Sequence, residues 1–173
     1  MRAIQVLLAG TIAFLAVADP RVAIGQQLSP NAPRDKPVTA YEQCQFNALQ
    51  FAIAPYVARA RASYPEAKKR YLAGLPHGQT FFVTVLLTDS LGRHEQVFIA
   101  VDRIVANDIQ GRIWSAIYVV HGYHLNQQFS LKDADVMDWL ITHPDGSEEG
   151  NIVGKFLDTY QPPRTCPEDH KRS

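Results

Sequence analysis

An α+β domain is the fold class this sequence predicts: N-terminal helices, then a curved antiparallel sheet or small partly open barrel of about five strands, with a short C-terminal helix. Three observations carry that expectation. Phe46, Leu49, Ile53, Tyr56 and Ala60 recur at three- and four-residue steps, the spacing of one helical face. From Thr80 onward the apolar period falls to two, the signature of strands. From Ile152 to Tyr160 helical steps return.

The N-terminal elements come first. Arg2 precedes an apolar run, Ala3 to Ala18, that Gln5, Gly10 and Thr11 interrupt and Asp19-Pro20 ends. A charged start followed by such a run reads as a cleavable export signal over 1–25, cut after Ala18 or after Gly25. A retained anchor is the competing reading, but the run falls short of the ~20 apolar residues that span a hydrocarbon core. The mature chain is therefore expected in the periplasm or outside the cell, with no membrane association once the signal is removed. Residues 26–40 hold Pro30, Pro33 and Pro37 among polar residues and read as a disordered tether. A single domain is expected over 41–167, followed by a polar tail at 168–173.

Within that domain, Pro55 predicts either a kink near Ala54 or two short helices meeting there, because proline removes an N–H and disfavours helix just before it. Ser63-Tyr64-Pro65-Glu66 reads as a fresh helix start that stops at Gly74 and Pro76. Thr80–Thr88 and Glu95–Val101 form a hairpin around Asp89-Ser90-Leu91-Gly92. A third strand is expected over Arg112–Val120, with shorter ones at Gln127–Leu131 and Val136–Ile141. His143-Pro144-Asp145-Gly146 then turns the chain into the last helix.

Composition limits the function classes. With 173 residues, 46% hydrophobic and 20% charged, the chain is ordinary globular material of one-domain size. Lys and Arg number 17, as do Asp and Glu, so a general affinity for nucleic acid is not expected. The cationic triplet Lys68-Lys69-Arg70 reads as a solvated helix face. Export makes a disulfide between Cys44 and Cys166 the natural use of the two cysteines. Closing a loop on the order of 100 residues stabilises a fold by roughly 3–5 kcal/mol in chain-entropy terms.

The segments "LPHGQTFFVTVLLTDSLGRHEQVFIAVDRI", "DADVMDWLI" and "GNIVGKFL" together resemble the bacterial family called domain of unknown function 2314, over roughly Ala48 to Tyr160. Tyr64-Pro65, Gly78 to Val83, Glu95, Asp138-Trp139 and Gly150-Asn151 carry the resemblance. Gln96 stands where that family favours His, Phe98 falls near its Trp, and Leu140 replaces its Met. The resemblance implies a fold and no activity.

Candidate chemistry must therefore stand on the residues. Asp138 and Trp139 are neighbours on a strand, so their side chains point to opposite faces. The expected arrangement buries the indole and leaves the carboxylate to accept backbone or Arg hydrogen bonds. A general base at Asp138 or Glu95, working with His121 or His124, would make the protein a periplasmic hydrolase. His121-Gly-Tyr-His124 is the one metal-like spacing, with His94, Glu95 or His143 available to complete a shell. No nucleophile elbow, P-loop, dinucleotide fingerprint or His-Glu-x-x-His is present, and no cofactor is expected. Trp114, Tyr118, Tyr123 and Trp139 could form an aromatic binding surface where they escape the core. The balance of these readings is a binding or interaction protein without catalysis, for an envelope protein or polymer. The hydrolase and a metal-binding protein are the alternatives.

Overall fold

A computed structural model describes residues 32, 33, 38 and 43–163. The export segment at 1–25, most of the tether at 26–40, Cys166 and the tail at 168–173 lie outside the described residues. The architecture is α+β, with one long helix, a six-stranded antiparallel sheet and a short helix near its end. The elements are α1 (Gln43–Ala73), β1 (Thr80–Thr88), β2 (His94–Val105), β3 (Asp108–Ile113), β4 (Gln128–Lys132), β5 (Asp138–Thr142), β6 (Glu148–Gly150) and α2 (Ile152–Leu157). Strand order is β4-β3-β2-β1-β5-β6, every neighbouring pair antiparallel.

The expected pair of N-terminal helices is one continuous helix, with Pro55 and Pro65 inside it. Both prolines sit on the exposed side, where water can satisfy the carbonyl that each leaves without its usual N–H. Packing offsets the remaining cost, about 3 kcal/mol for an interior proline. Leu49 and Ile53 enter one apolar cluster with Met137 and Val153, while Tyr64 and Ala67 enter the main core. Each half of α1 is thus clamped on its own side of Pro55.

Strand β1 is central and buried on both faces. Phe81, Val83, Val85 and Leu87 join Val97, Ile99, Val101, Ile109, Ile113 and Ile141 in the main core, under Tyr64, Ala67 and Tyr71 of α1. Phe82, Ala100 and Leu140 form a smaller cluster on the other face, and Ala32 packs against it. Val38 packs against the Leu49–Ile53 cluster, and Pro33 is buried. The described residues of the predicted tether therefore touch the domain, because its few apolar side chains find unfilled apolar surface.

The sheet is curled but not closed. β4 and β5 are separated in the strand order by β3, β2 and β1, yet five residues join them, including the tight turn Asp133–Asp135. With strands ~4.8 Å apart, a flat sheet would need the link almost fully extended. Asp133 N–H donates to Asn107 O and Met137 N–H to Thr84 O, so the link is held against the sheet along its length. α1 crosses the open side. Its Arg61 donates to the carbonyls of Val136 and Ala134 at 2.8 and 3.1 Å, and its Lys68 pairs with Asp133.

Two strand expectations need correction. β3 covers Asp108–Ile113 rather than Arg112–Val120, because the chain reverses at Ala106-Asn107 and the strand begins at once, four residues earlier than expected. Residues 114–120 alternate in sequence yet form a loop, because the Glu95 carboxylate takes up the N–H groups of Tyr118, Val119 and Val120. The sixth strand, β6, is three residues long and too short to announce itself by period.

Candidate functional site

Asp138 and Trp139 hold the sheet to both helices. Trp139 faces the main core, where its Nε1–H donates to Ser63 Oγ of α1 at 2.9 Å. Gly150 lies flat against it: φ is +74°, and a Cβ there would sit 2.3 Å from Trp139 O and 2.8 Å from ring atom Cε3. Only glycine fits. Asp138 is 1% exposed and turns to the opposite face, which it shares with its partner Thr84. Its Oδ2 accepts the Val153 N–H at 2.6 Å, and its Oδ1 accepts its neighbour Trp139 N–H at 2.8 Å.

Helix α2 needs that carboxylate. Asn151, at the N-cap position, has φ 52° and makes no side-chain cap. Asp138 supplies the acceptor from the adjacent strand, doing the work of a local cap. Burial pushes the Asp138 carboxyl above its ordinary range, while the N–H groups of Val153, Trp139, Ile152 and Gly154 oppose the shift.

Glu95 is committed elsewhere. Its Oε1 accepts the Tyr118 N–H at 2.8 Å, and its Oε2 accepts those of Val119 and Val120 at 2.8 and 3.1 Å. Three successive N–H groups converging on one carboxylate cannot also serve a strand ladder, and this makes 114–120 a loop despite its alternation. Asp89 fixes the same region from the β1–β2 turn, accepting the N–H groups of Leu91, Arg93 and His121 and pairing with the Arg93 guanidinium. Partial burial works against the Asp89 charge. The Arg93 contact and the N–H groups of His121, Arg93 and Leu91 outweigh it and hold the carboxyl far below the usual carboxylate range.

The two candidate carboxylates do not meet. Glu95 pairs with Leu87, which faces the main core, and Asp138 pairs with Thr84 on the other face, so the two carboxylates lie on opposite faces of the sheet. His121 Nε2 lies 3.1 Å from Arg93 Nη1, and His124 Nδ1 lies 3.0 Å from Leu125 O. His94 stacks on Phe46 at 4.5 Å between ring centroids, and His143 Nε2 contacts Glu149 at 3.0 Å. Among the described residues, no group of three or more His, Cys, Asp or Glu side chains is placed to hold a metal ion.

The aromatic candidates also separate. Trp139 is 8% exposed, with its indole given over to the core, so it offers nothing to a docking partner. Trp114 packs against the Phe82 cluster, and Tyr123 packs against the main core with its hydroxyl 3.4 Å from Thr88 O. Tyr118 alone of the four is broadly exposed.

A groove of about 720 Å³ lies elsewhere, on the open side of the sheet. One wall is α1, through Ile53, Ala54, Val57 and Ala58; the other is β4, through Phe129, Ser130 and Leu131. Val85 and Leu86 line it from the sheet, and Met137 from the β4–β5 link. Its two charged residues are occupied: Arg61 by the Val136 and Ala134 carbonyls, Asp135 by the Lys132 N–H. Reasoning from sequence alone misses these residues. Their one signal is the set Ala54, Val57, Ala58 and Arg61, a second stripe at helical spacing beside the apolar face already counted.

Among the described residues no helix is long and apolar enough to cross a membrane. No protein-family model, curated protein or solved structure matches the chain.

Two outcomes are expected of the carboxylates. A buried carboxyl with a raised folded pKa contributes stability that is whole below the unfolded pKa and lost as pH rises through the folded one. Urea unfolding of wild type and Asp138→Asn across pH 3 to pH 8 should therefore show the wild type losing stability relative to the variant from about pH 4 upward, by at most about 1.4 kcal/mol per pH unit. Glu95→Gln keeps one acceptor oxygen and no charge, and should cost about 1–3 kcal/mol. Amide hydrogen exchange at Tyr118, Val119 and Val120 should accelerate by an order of magnitude or more; unchanged protection would mean the carboxylate is free for other work.

Proposed function

We propose that this chain is an exported binding protein that grips a partner in the cell envelope without catalysing a reaction. The groove between α1 and β4 is the observation that carries the reading. It is apolar and open; Glu95, Asp138, His121 and His124 lie outside it, and its own Asp135 accepts the Lys132 N–H. Apolar lining with few polar groups is the usual chemistry of a recognition site. Export rests on the Arg2 to Ala18 pattern and its two small-residue cleavage sites.

A Cys44–Cys166 disulfide belongs to this proposal. Cys44 is not a free thiol, and Gln45 Nε2–H donates to Pro163 O at 3.1 Å, bringing the end of the domain beside the start of α1. Thiol titration of unreduced protein is expected to find none free; two free thiols would remove the cross-link.

Kinship with the domain of unknown function 2314 family is proposed on the same terms. Tyr64, Gly78, Asp138, Trp139 and Gly150 carry the resemblance. Tyr64, Asp138 and Trp139 are buried, and a Cβ at Gly78 or Gly150 would meet a neighbour at under 3 Å. That supports a motif specifying a fold rather than a reaction.

Ala58 is exposed on the groove wall, so Ala58→Trp should fill the recess and leave the core intact. Wild-type mature protein is expected to bind the neutral apolar dye Nile red and to retain envelope components on a column. The variant should lose both by tenfold or more. Equal behaviour of the two proteins, or turnover of an ester, glycoside or peptide that Glu95→Gln abolishes, would overturn the reading.

A further inference from the structure

We infer that the groove takes an extended peptide segment of a partner protein, added as a strand to the free edge of β4. The inference rests on the binding reading above and names its ligand class.

The backbone of β4 carries the argument. In an antiparallel ladder, bonded and non-bonded pairs alternate. Ile113 N–H donates to Gln127 O at 2.9 Å, so in the register of β3 with β4 the bonded pairs are Ile113–Gln127, Gly111–Phe129 and Ile109–Leu131. Gln128 and Ser130 fall between them and turn their N–H and C=O groups away from β3. Among the described residues β4 is the last strand of the sheet, and none of them forms a strand on that side. Ser130 lies in the wall of the groove. The next outward N–H, at Lys132, is already taken by Asp135 Oδ2, which marks where an added strand would stop.

The rest of the groove suits a strand. Ala54 and Ala58 keep the helical wall low, leaving room for a backbone to lie between α1 and β4. Residues on a strand alternate faces, so every second side chain of the guest would enter the apolar lining of Ile53, Val57 and Phe129. Gln50 adds a second polar observation on the same wall: its Nε2 is buried and has no hydrogen-bond partner. A guest carbonyl could accept from it. Acyl chains and other wholly apolar ligands would leave all of these backbone and amide groups unpaired. Strand addition uses them, with edge hydrogen bonds giving affinity and the apolar recess giving selection.

The test uses a fluorescein-labelled, Lys-flanked ten-residue peptide alternating valine and threonine, titrated with the mature chain and read by anisotropy. Two N-methylated forms accompany it, one blocked at the valines and the other at the threonines. A guest strand bonds β4 through alternate residues, so one form is expected to lose tenfold or more while its sister binds like the parent. Ser130→Pro removes the outward N–H without touching a bond to β3, and should weaken the parent peptide at least tenfold. Ala58→Trp should abolish binding. If Ser130→Pro does not fold, the two methylated peptides on wild-type protein still decide.

Equal affinity for both methylated forms and the parent overturns strand addition, as does Nile red binding that the peptide neither shares nor displaces; both leave the broader binding reading standing. Absence of both dye and peptide binding removes the two together. A concentration-dependent dimer that Ser130→Pro dissolves, in a protein that ignores the peptide, assigns the edge to a second copy and overturns the proposal.

Discussion

Two adjacent residues on one short strand tie the sheet to both helices. Trp139 sends its ring into the core and its N–H to Ser63 of α1; Asp138 sends its carboxylate the other way, to the N-terminus of α2. The alternation of a β-strand makes this possible, because neighbouring side chains leave on opposite faces. Gly150 follows from it, since the ring and carbonyl of Trp139 occupy the space a side chain would need. The cap follows as well: Asn151 adopts a left-handed backbone to let the chain turn from β6 into α2, so the acceptor for the first turn comes from β5. Burying the Asp138 charge is unfavourable by itself, and convergent N–H groups compensate it in part.

The same device recurs around the molecule. Glu95 holds Tyr118 to Val120, Asp89 holds the β1–β2 turn and His121, and Asp133 ties the β4–β5 link to Tyr64 and Lys68. Four acidic side chains that sequence inspection could nominate for catalysis or ligand binding act as acceptors for structure. Asp138, Glu95 and Asp89 each take up N–H groups of an irregular stretch of backbone, which must find partners wherever no ladder supplies them, while Asp133 accepts from the Tyr64 hydroxyl and the Lys68 ammonium. Conserving the chain's shape is work enough for these carboxylates, and it leaves them poorly placed to exchange protons with a substrate.

An open sheet brings a different constraint. A strand edge with unpaired N–H and C=O groups invites association with other chains, and proteins commonly shorten, charge or cover such edges. Here β4 is five residues long, carries Lys132 at its end and lies beside α1. The helix stands off from it enough to leave a groove, while its second half is pinned by Arg61, Tyr64 and Lys68 to the β4–β5 link. Anchoring at one end and space at the other leave the groove on the open side.

Much of the fold was legible in local pattern. The strand Thr80–Thr88 was readable to the residue because period two held on both faces, and the hairpin followed from Asp89 to Gly92. Arg112–Val120 misled for the same reason: alternation reports which residues are apolar, and a long-range carboxylate at Glu95 decided that their N–H groups would not pair as a strand. Pro55 predicted a kink or a break and Pro65 a fresh start, and packing carries one helix through both. What the sequence by itself determined is therefore the α+β class, the central strand and the burial of Trp139, all set by short-range periodicity and side-chain chemistry. Tertiary structure alone decided the continuous helix, the borrowed cap on α2 and the groove. Each of those depends on residues far apart in the chain meeting across the open side of a curled sheet, and no local spacing encodes that meeting.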